Sequence, residues 1–255
     1  MGRLESALRA VVDDGRKAFV PYVTGGFPGV DAELLRALQR LGADAIEVGI
    51  PHSDPVMDGG VIQEASRVAL ERGTHVRDVL RIVTDAGLDV PVAVMTYANP
   101  VERRGAKAFC DDLSAAGADG AIVPDLPVDE AGALAALAAE RGVDLVLLAA
   151  PGTSADRYAA IARASRGFLY CVATYGVTGA RDELASTARE VVEALRPHTD
   201  LPLLVGVGIG TPGQASGACA FADGVIVGSA LMAPLVDGDR EAAIGLAGEF
   251  RAATA

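Results

Sequence analysis

Along this chain, short apolar runs rich in Val and Ile and bounded by Gly, Pro or Asp alternate with longer Ala-rich stretches of helical spacing. The short runs predict eight strands, at residues 18–24, 44–49, 91–96, 119–124, 144–149, 168–173, 202–207 and 223–227. The longer stretches predict helices at 31–41, 61–88, 106–116, 129–141, 154–164, 182–195, 211–221 and 240–252, and a Leu4, Leu8, Val11 stripe predicts one more before the first strand. Strand alternating with helix implies parallel strands joined by helical crossovers, and eight such units in 255 residues match the size of a closed (β/α)8 barrel, the TIM barrel. An open doubly wound sheet is the alternative. No linker or composition break divides the chain, which favours a single domain over 1–255 with an extra N-terminal helix.

The second strand breaks the apolar pattern. Ile46 and Val48 fall on one of its faces, and Ala45, Glu47 and Gly49 on the other, so a lone carboxylate lies among apolar strand residues. The chain then leaves through Pro51 and Pro55 to Asp58-Gly59-Gly60, a sequence built to turn back and bring Asp58 near Glu47. Two acids on one strand-loop unit point to proton transfer. Catalytic groups of a barrel belong at the carboxyl-terminal strand ends, here residues 24–29, 47–60, 97–100, 125–127, 151–153, 174–181, 206–210 and 228–229. The opposite ends carry Gly-Ala-Asp or Gly-Val-Asp turns that end at Asp44, Asp119 and Asp144 and read as structural.

The last two of the carboxyl-terminal segments suit a phosphate. Glycines at 206, 208, 210 and 228 let backbone N–H groups approach an anion, helix starts add partial positive charge, and Ser229 offers a hydroxyl. Residues 208–213 also match Gly-x-Gly-x-x-Gly, the dinucleotide fingerprint, but in the seventh unit and with no acid at the end of the following strand. Thr211 and Pro212 read instead as the cap and first turn of a helix. Asp54 and Asp125, each beside a turn, read as structural or interfacial; His52 reads as an exposed, non-catalytic loop residue, and Tyr97 as packing.

Composition narrows the function classes. With 34 acids against 22 bases, the net charge of −12 repels nucleic acid and anionic membranes. Three scattered cysteines and three scattered histidines show no metal-ligand spacing, so no metal is expected. No apolar run is long enough to span a membrane, and Glu5 and Arg9 fall where a signal peptide would be apolar, which predicts a cytoplasmic protein.

Taken in order, several segments resemble the alpha subunit family of tryptophan synthase, the indole-3-glycerol-phosphate lyases. They are Phe19-Val20-Pro21-Tyr22-Val23-Thr24, Glu47-Val48-Gly49-Ile50-Pro51 with Ser53-Asp54-Pro55 and Asp58-Gly59, Tyr97-Ala98-Asn99-Pro100, Asp125-Leu126-Pro127, Gly176-Val177-Thr178-Gly179-Ala180, Gly206-Val207-Gly208-Ile209 and Gly228-Ser229-Ala230. The resemblance covers nearly the whole chain. It implies cofactor-free retro-aldol cleavage of indole-3-glycerol phosphate to indole and glyceraldehyde 3-phosphate, in tryptophan biosynthesis. It also implies roles: Glu47 for the carbon 3 and hydroxyl protons, Asp58 for the indole nitrogen, Tyr22 and Tyr170 near the substrate, and Val207 on the indole ring. Thr178 would bond Asp58, and Gly179, Gly208, Gly228 and Ser229 would cradle the phosphate.

The implied partner is a beta subunit in an alpha2beta2 complex. Two departures bear on it: Gly60 stands where the family has proline, and Glu102 where relatives tend to be apolar or aromatic. Gly60 predicts a more mobile catalytic loop, and Glu102 a weaker apolar interface. His52 is a third departure, at a position usually Phe or Tyr. Two alternatives stay open: a stand-alone lyase that releases free indole, and an inactive barrel that activates a partner. A phosphosugar isomerase on the same barrel plan is more remote.

Overall fold

In the computed structural model, residues 1–172 and 181–255 are described, 181–185 by backbone alone. Eight strands, β1 (Ala18–Thr24), β2 (Ile46–Gly49), β3 (Val92–Met95), β4 (Gly120–Ile122), β5 (Asp144–Ala149), β6 (Leu169–Val172), β7 (Leu203–Gly206) and β8 (Gly224–Val227), pair in sequence order, all parallel, and close through β1 and β8. The described helices are α1 (Arg3–Asp13), α2 (Ala32–Arg40), α3 (Gly60–Glu71), α4 (Val76–Ala86), α5 (Ala98–Arg104), α6 (Ala106–Ala116), α7 (Gly132–Ala139), α8 (Ala155–Ala164), α9 (Arg181–Leu195), α10 (Pro212–Cys219), α11 (Ser229–Val236) and α12 (Arg240–Ala253). The closed barrel predicted from alternation is therefore the observed fold, and the open sheet is not.

Alternation sorts each strand's side chains into two cores. Ile46, Val48, Phe19 and Val23 face outward into the layer between strands and helices. Ala18, Val20, Ala45, Ala93, Ile122, Val146, Phe168, Tyr170, Leu204 and Ile226 fill the barrel interior. The amphipathic stripe of α1 belongs to this second core: Leu4, Leu8 and Val11 close the amino-terminal end of the barrel like a stopper. Leu4 reaches so far in that a Cβ on Gly120 would lie only 2.5 Å from its Cδ2, which is why β4 begins with glycine.

Carboxylates organise the same end. Asp44, Asp119 and Asp223, at the starts of even-numbered strands, accept backbone N–H groups of the preceding strands: Phe19 at 3.0 Å, Val92 at 3.0 Å and Leu203 at 2.8 Å. Each also holds an arginine, Arg16, Arg3 and Arg196 respectively. Asp144 accepts the Glu5 N–H at 3.1 Å and so fixes the start of α1. The turns that looked structural are structural.

Two helical expectations need correction. Residues 61–88 form two helices, because Gly73, at φ 82°, takes the left-handed conformation that ends α3, and Asp78 accepts the His75 N–H at 3.0 Å to start α4. Residues 97–100 form the start of α5 rather than a loop; Pro100 falls in its first turn, where a missing N–H leaves no helical bond unmade.

Candidate active site

β2 carries Glu47 into the barrel interior opposite Tyr22 of β1, its partner in the strand register. The side chain is 1% exposed and its Oε2 has no hydrogen-bond partner. Burial, reinforced by the negative charge of Asp58, pushes the carboxyl up to about 8, so the group is mostly protonated at neutral pH. Asp58, on the loop that returns from β2 to α3, is also raised by burial, but only to about 6, because the Tyr97 phenol donates to its Oδ2 at 3.1 Å. The turn that was expected to bring the two acids together does so. Their surroundings then separate them into one neutral acid and one anion at pH 7.

Two phenols lie within electrostatic reach of Glu47. Tyr22 of β1 and Tyr170 of β6 are buried, and both are held well above the usual phenol range by burial and by the nearby Asp58 and Glu47 charges. Tyr22 shares a 3.2 Å hydrogen bond with Thr24. Room for each ring comes from a missing side chain on the next strand: a Cβ on Gly49 would collide with the Tyr22 hydroxyl, and one on Gly206 with that of Tyr170. Gly49 and Gly206 thus shape the mouth. Their role was readable in principle from glycine inside apolar strands, a sign of close approach by another group.

The remaining expected site residues gather on the β7 and β8 sides. Val207 has φ 64°, the one positive φ among described non-glycine residues, and Gly208 follows at φ 97°. For a β-branched side chain that backbone is strained. Gly228 caps α11 and lies over Tyr22, where an added Cβ would sit 3.3 Å from the ring, and Ser229 opens the helix. The Leu231 and Met232 N–H groups in the first turn of α11 bond the Gly228 carbonyl at 2.9 and 3.0 Å, and a helix start carries partial positive charge. Thr211 caps α10, Pro212 starts it, and Gln214 takes the Gly210 N–H at 2.8 Å, so the Gly-x-Gly-x-x-Gly match is a capping box. Thr178 and Gly179 lie outside the described residues.

Residues set aside in the sequence prove closely involved. Tyr97 is Asp58's hydrogen-bond donor, and the His52 ring stacks on it, with centroids 4.6 Å apart and planes 16° from parallel. His52 is half-buried, which corrects the exposed-loop reading. Gln63 donates to the Asp58 carbonyl at 2.8 Å. Asp125 accepts the Ala98 N–H at 2.8 Å and so caps α5, the structural role expected of it. Among the described residues, no group of three or more His, Cys, Asp or Glu could hold a metal ion, and no helix is long and apolar enough to cross a membrane.

Fold and mouth together define a class, a (β/α)8 barrel enzyme with two acids converging at the carboxyl-terminal end of its strands. A family model described as Tryptophan synthase alpha chain matches residues 8–249, and the chain belongs to that family. It is 44% identical to the tryptophan synthase alpha chain of Synechococcus elongatus over 258 residues, covering 99% of this chain and 97% of that one. Identity to the Halorhodospira halophila alpha chain is 46% over 237 residues, 91% and 87% of the two chains. A solved tryptophan synthase from Mycobacterium tuberculosis superposes with a TM-score of 0.91 at 41% identity, covering 99% and 98%. The alpha subunit from Legionella pneumophila does so at 0.89 and 34%, covering 100% and 98%.

Proposed function

We propose that this chain cleaves indole-3-glycerol phosphate to indole and glyceraldehyde 3-phosphate, with Glu47 lending and recovering one proton while Asp58 stays ionised. Carbon 3 of the indole cannot leave the glycerol carbon until it is protonated. Neutral Glu47 supplies that proton, the ring's carbon 2–carbon 3 π electrons form the new C–H bond, and positive charge gathers on the ring nitrogen, where the Asp58 anion stabilises it. Glu47, now a carboxylate, takes the proton of the adjacent glycerol hydroxyl. The O–H electrons become the aldehyde C=O, and the carbon–carbon bond breaks. Its electrons restore the indole ring, and Glu47 is again neutral.

The observation that carries this reading is the pairing of a buried, unpartnered Glu47 pushed up to about 8 with an Asp58 held near 6. Tyr22, Tyr170 and Val207 would enclose the indole ring, Gly179, Gly208, Gly228 and Ser229 would hold the phosphate, and Thr178 would join Asp58. The chain would work as one barrel domain in the cytoplasm, docked on a beta subunit that consumes the indole. A related M. tuberculosis tryptophan synthase is solved in an aminoacrylate-bound form, and an aminoacrylate is an electrophile that indole carbon 3 can attack. Glu102 lies exposed on α5, and a charge there would weaken rather than abolish an apolar contact.

The chain contains no tryptophan, so indole fluorescence comes only from substrate and product. Incubation with indole-3-glycerol phosphate should release indole, strongly stimulated by a beta subunit and abolished in Glu47→Gln. No indole under either condition would refute the lyase reading. Fast release that a beta subunit leaves unchanged would refute the partner and mark a stand-alone enzyme.

A further inference from the structure

We propose that Tyr97 and His52 are positioning residues, a stacked pair that clamps both ends of the loop carrying Asp58 and so holds that carboxylate over the barrel mouth. The inference rests on the proton roles proposed above. Tyr97 stands between β3 and α5, two fixed elements: Ile50 donates to the Met95 carbonyl at 2.8 Å, and Asp125 caps the first turn of α5. From that base its side chain makes three contacts with the loop. The phenol oxygen accepts the Met57 N–H at 3.0 Å, the phenol O–H reaches Asp58 Oδ2 at 3.1 Å, and the ring face carries the His52 imidazole. His52 opens the loop, and Met57 and Asp58 close it.

The loop has little else to hold it. Ser53, Asp54, Val56, Gly59 and Gly60 are exposed, and its internal bonds, Val56 N–H to Asp54 carbonyl and Asp58 N–H to Pro55 carbonyl, are short-range turns. Gln63 fixes the Asp58 carbonyl but not the carboxylate. A phenol can donate and accept at once, so one oxygen sets both the backbone and the side chain of the 57–58 unit. The stacked imidazole restricts rotation of the Tyr97 ring, which would otherwise swing the hydroxyl off Asp58. The titratable groups near this pair are Asp58 and Asp125 around Tyr97, with Glu47, Tyr22 and Tyr170 within electrostatic reach of Asp58.

Four variants test it. Tyr97→Phe keeps the ring and loses both hydrogen bonds; kcat should fall about tenfold with KM nearly unchanged. The acid limb of its pH profile should move to higher pH, since the lost bond favoured the Asp58 anion. A role confined to stability would not move that limb. His52→Ala should lower kcat and raise hydrogen exchange at the Met57 amide, and His52→Phe, which keeps a stacked ring, should recover most of both. An unmoved acid limb in Tyr97→Phe, or equal behaviour of the two His52 variants, would overturn the proposal. Asp58→Asn separates the two readings. If it retains activity, the proton assignment fails, and Met57 exchange in Tyr97→Phe still decides whether the clamp exists.

Discussion

The two ends of the barrel handle carboxylates in opposite ways. At the amino-terminal end Asp44, Asp119 and Asp223 each meet a backbone N–H and an arginine, and Asp144 holds the start of α1. At the carboxyl-terminal end no arginine or lysine approaches Glu47 or Asp58 among the described residues, and one Glu47 oxygen is buried without a partner. The first end satisfies its polar groups and contributes stability. The second leaves a Glu47 oxygen unsatisfied, which costs stability and keeps a neutral acid available near pH 7. One fold tolerates both because a packed barrel interior, with Val20, Leu204 and Ile226 among its residues, lies between the reactive mouth and the floor that Leu4, Leu8 and Val11 close.

The sharpest break of that contrast is Glu47→Gln. Activity should fall by about a thousandfold or more, as expected when the proton-transfer group itself is removed. Stability should move the other way. Glu47 titrates near 4.5 in the unfolded chain and near 8 in the folded one, so between those values the folded state holds the extra proton and stability declines as pH rises. Charging the buried group therefore destabilises the wild type above pH 8 by about 3 to 5 kcal/mol, a loss that glutamine avoids. Melting curves at pH 5 and pH 9 should show the variant's advantage growing with pH; an advantage that shrinks would contradict a neutral Glu47. In the wild type, kcat/KM should follow a bell, rising as Asp58 ionises near 6 and falling as Glu47 ionises near 8.

At the floor, Leu4→Ala should cost about 2 to 5 kcal/mol of stability through the cavity it leaves, with kcat unchanged below the unfolding transition. Denaturant titration beside a turnover assay checks both halves. A variant with altered kcat would show the two ends coupled. Gly206→Ala probes the mouth by packing: the added methyl displaces the Tyr170 hydroxyl, which should cost about 1 to 3 kcal/mol and lower kcat/KM more than Tm. The smallest effect is Gly60→Pro. Gly60 is the first residue of α3, where proline fits, and open space surrounds its Cβ position, so stability should rise by about 0.4 to 1 kcal/mol, read as a shift in the urea midpoint.

The strands were legible because each is bounded by Gly, Pro or Asp and its inward and outward faces differ; β1 and β5 fall on their predicted limits. Glu47 was legible for the same reason, a carboxylate on an inward position being conspicuous among Ala45, Ala93 and Ile122, and Asp58 from the Asp-Gly-Gly turn that follows. What escaped notice was contact between distant segments. Tyr97 lies 39 positions from Asp58, and neither its bond nor the His52 stack leaves a local periodicity. The α3–α4 break escaped because the apolar spacing runs on past Gly73, and α5 because Pro100 resembles a turn until its place in the helix is seen.

The contact between α1 and Asp144 also has a consequence in time. The Glu5 amide and the Asp144 carboxylate are 139 residues apart, so during synthesis the helix emerges long before β5 exists to receive it. At translation speeds of about 5 to 20 residues per second, the wait is roughly 7 to 28 seconds. Through that interval Leu4, Leu8 and Val11 have no barrel to enter, and the newborn chain depends on either transient partners or delayed helix formation to keep that stripe from sticking elsewhere.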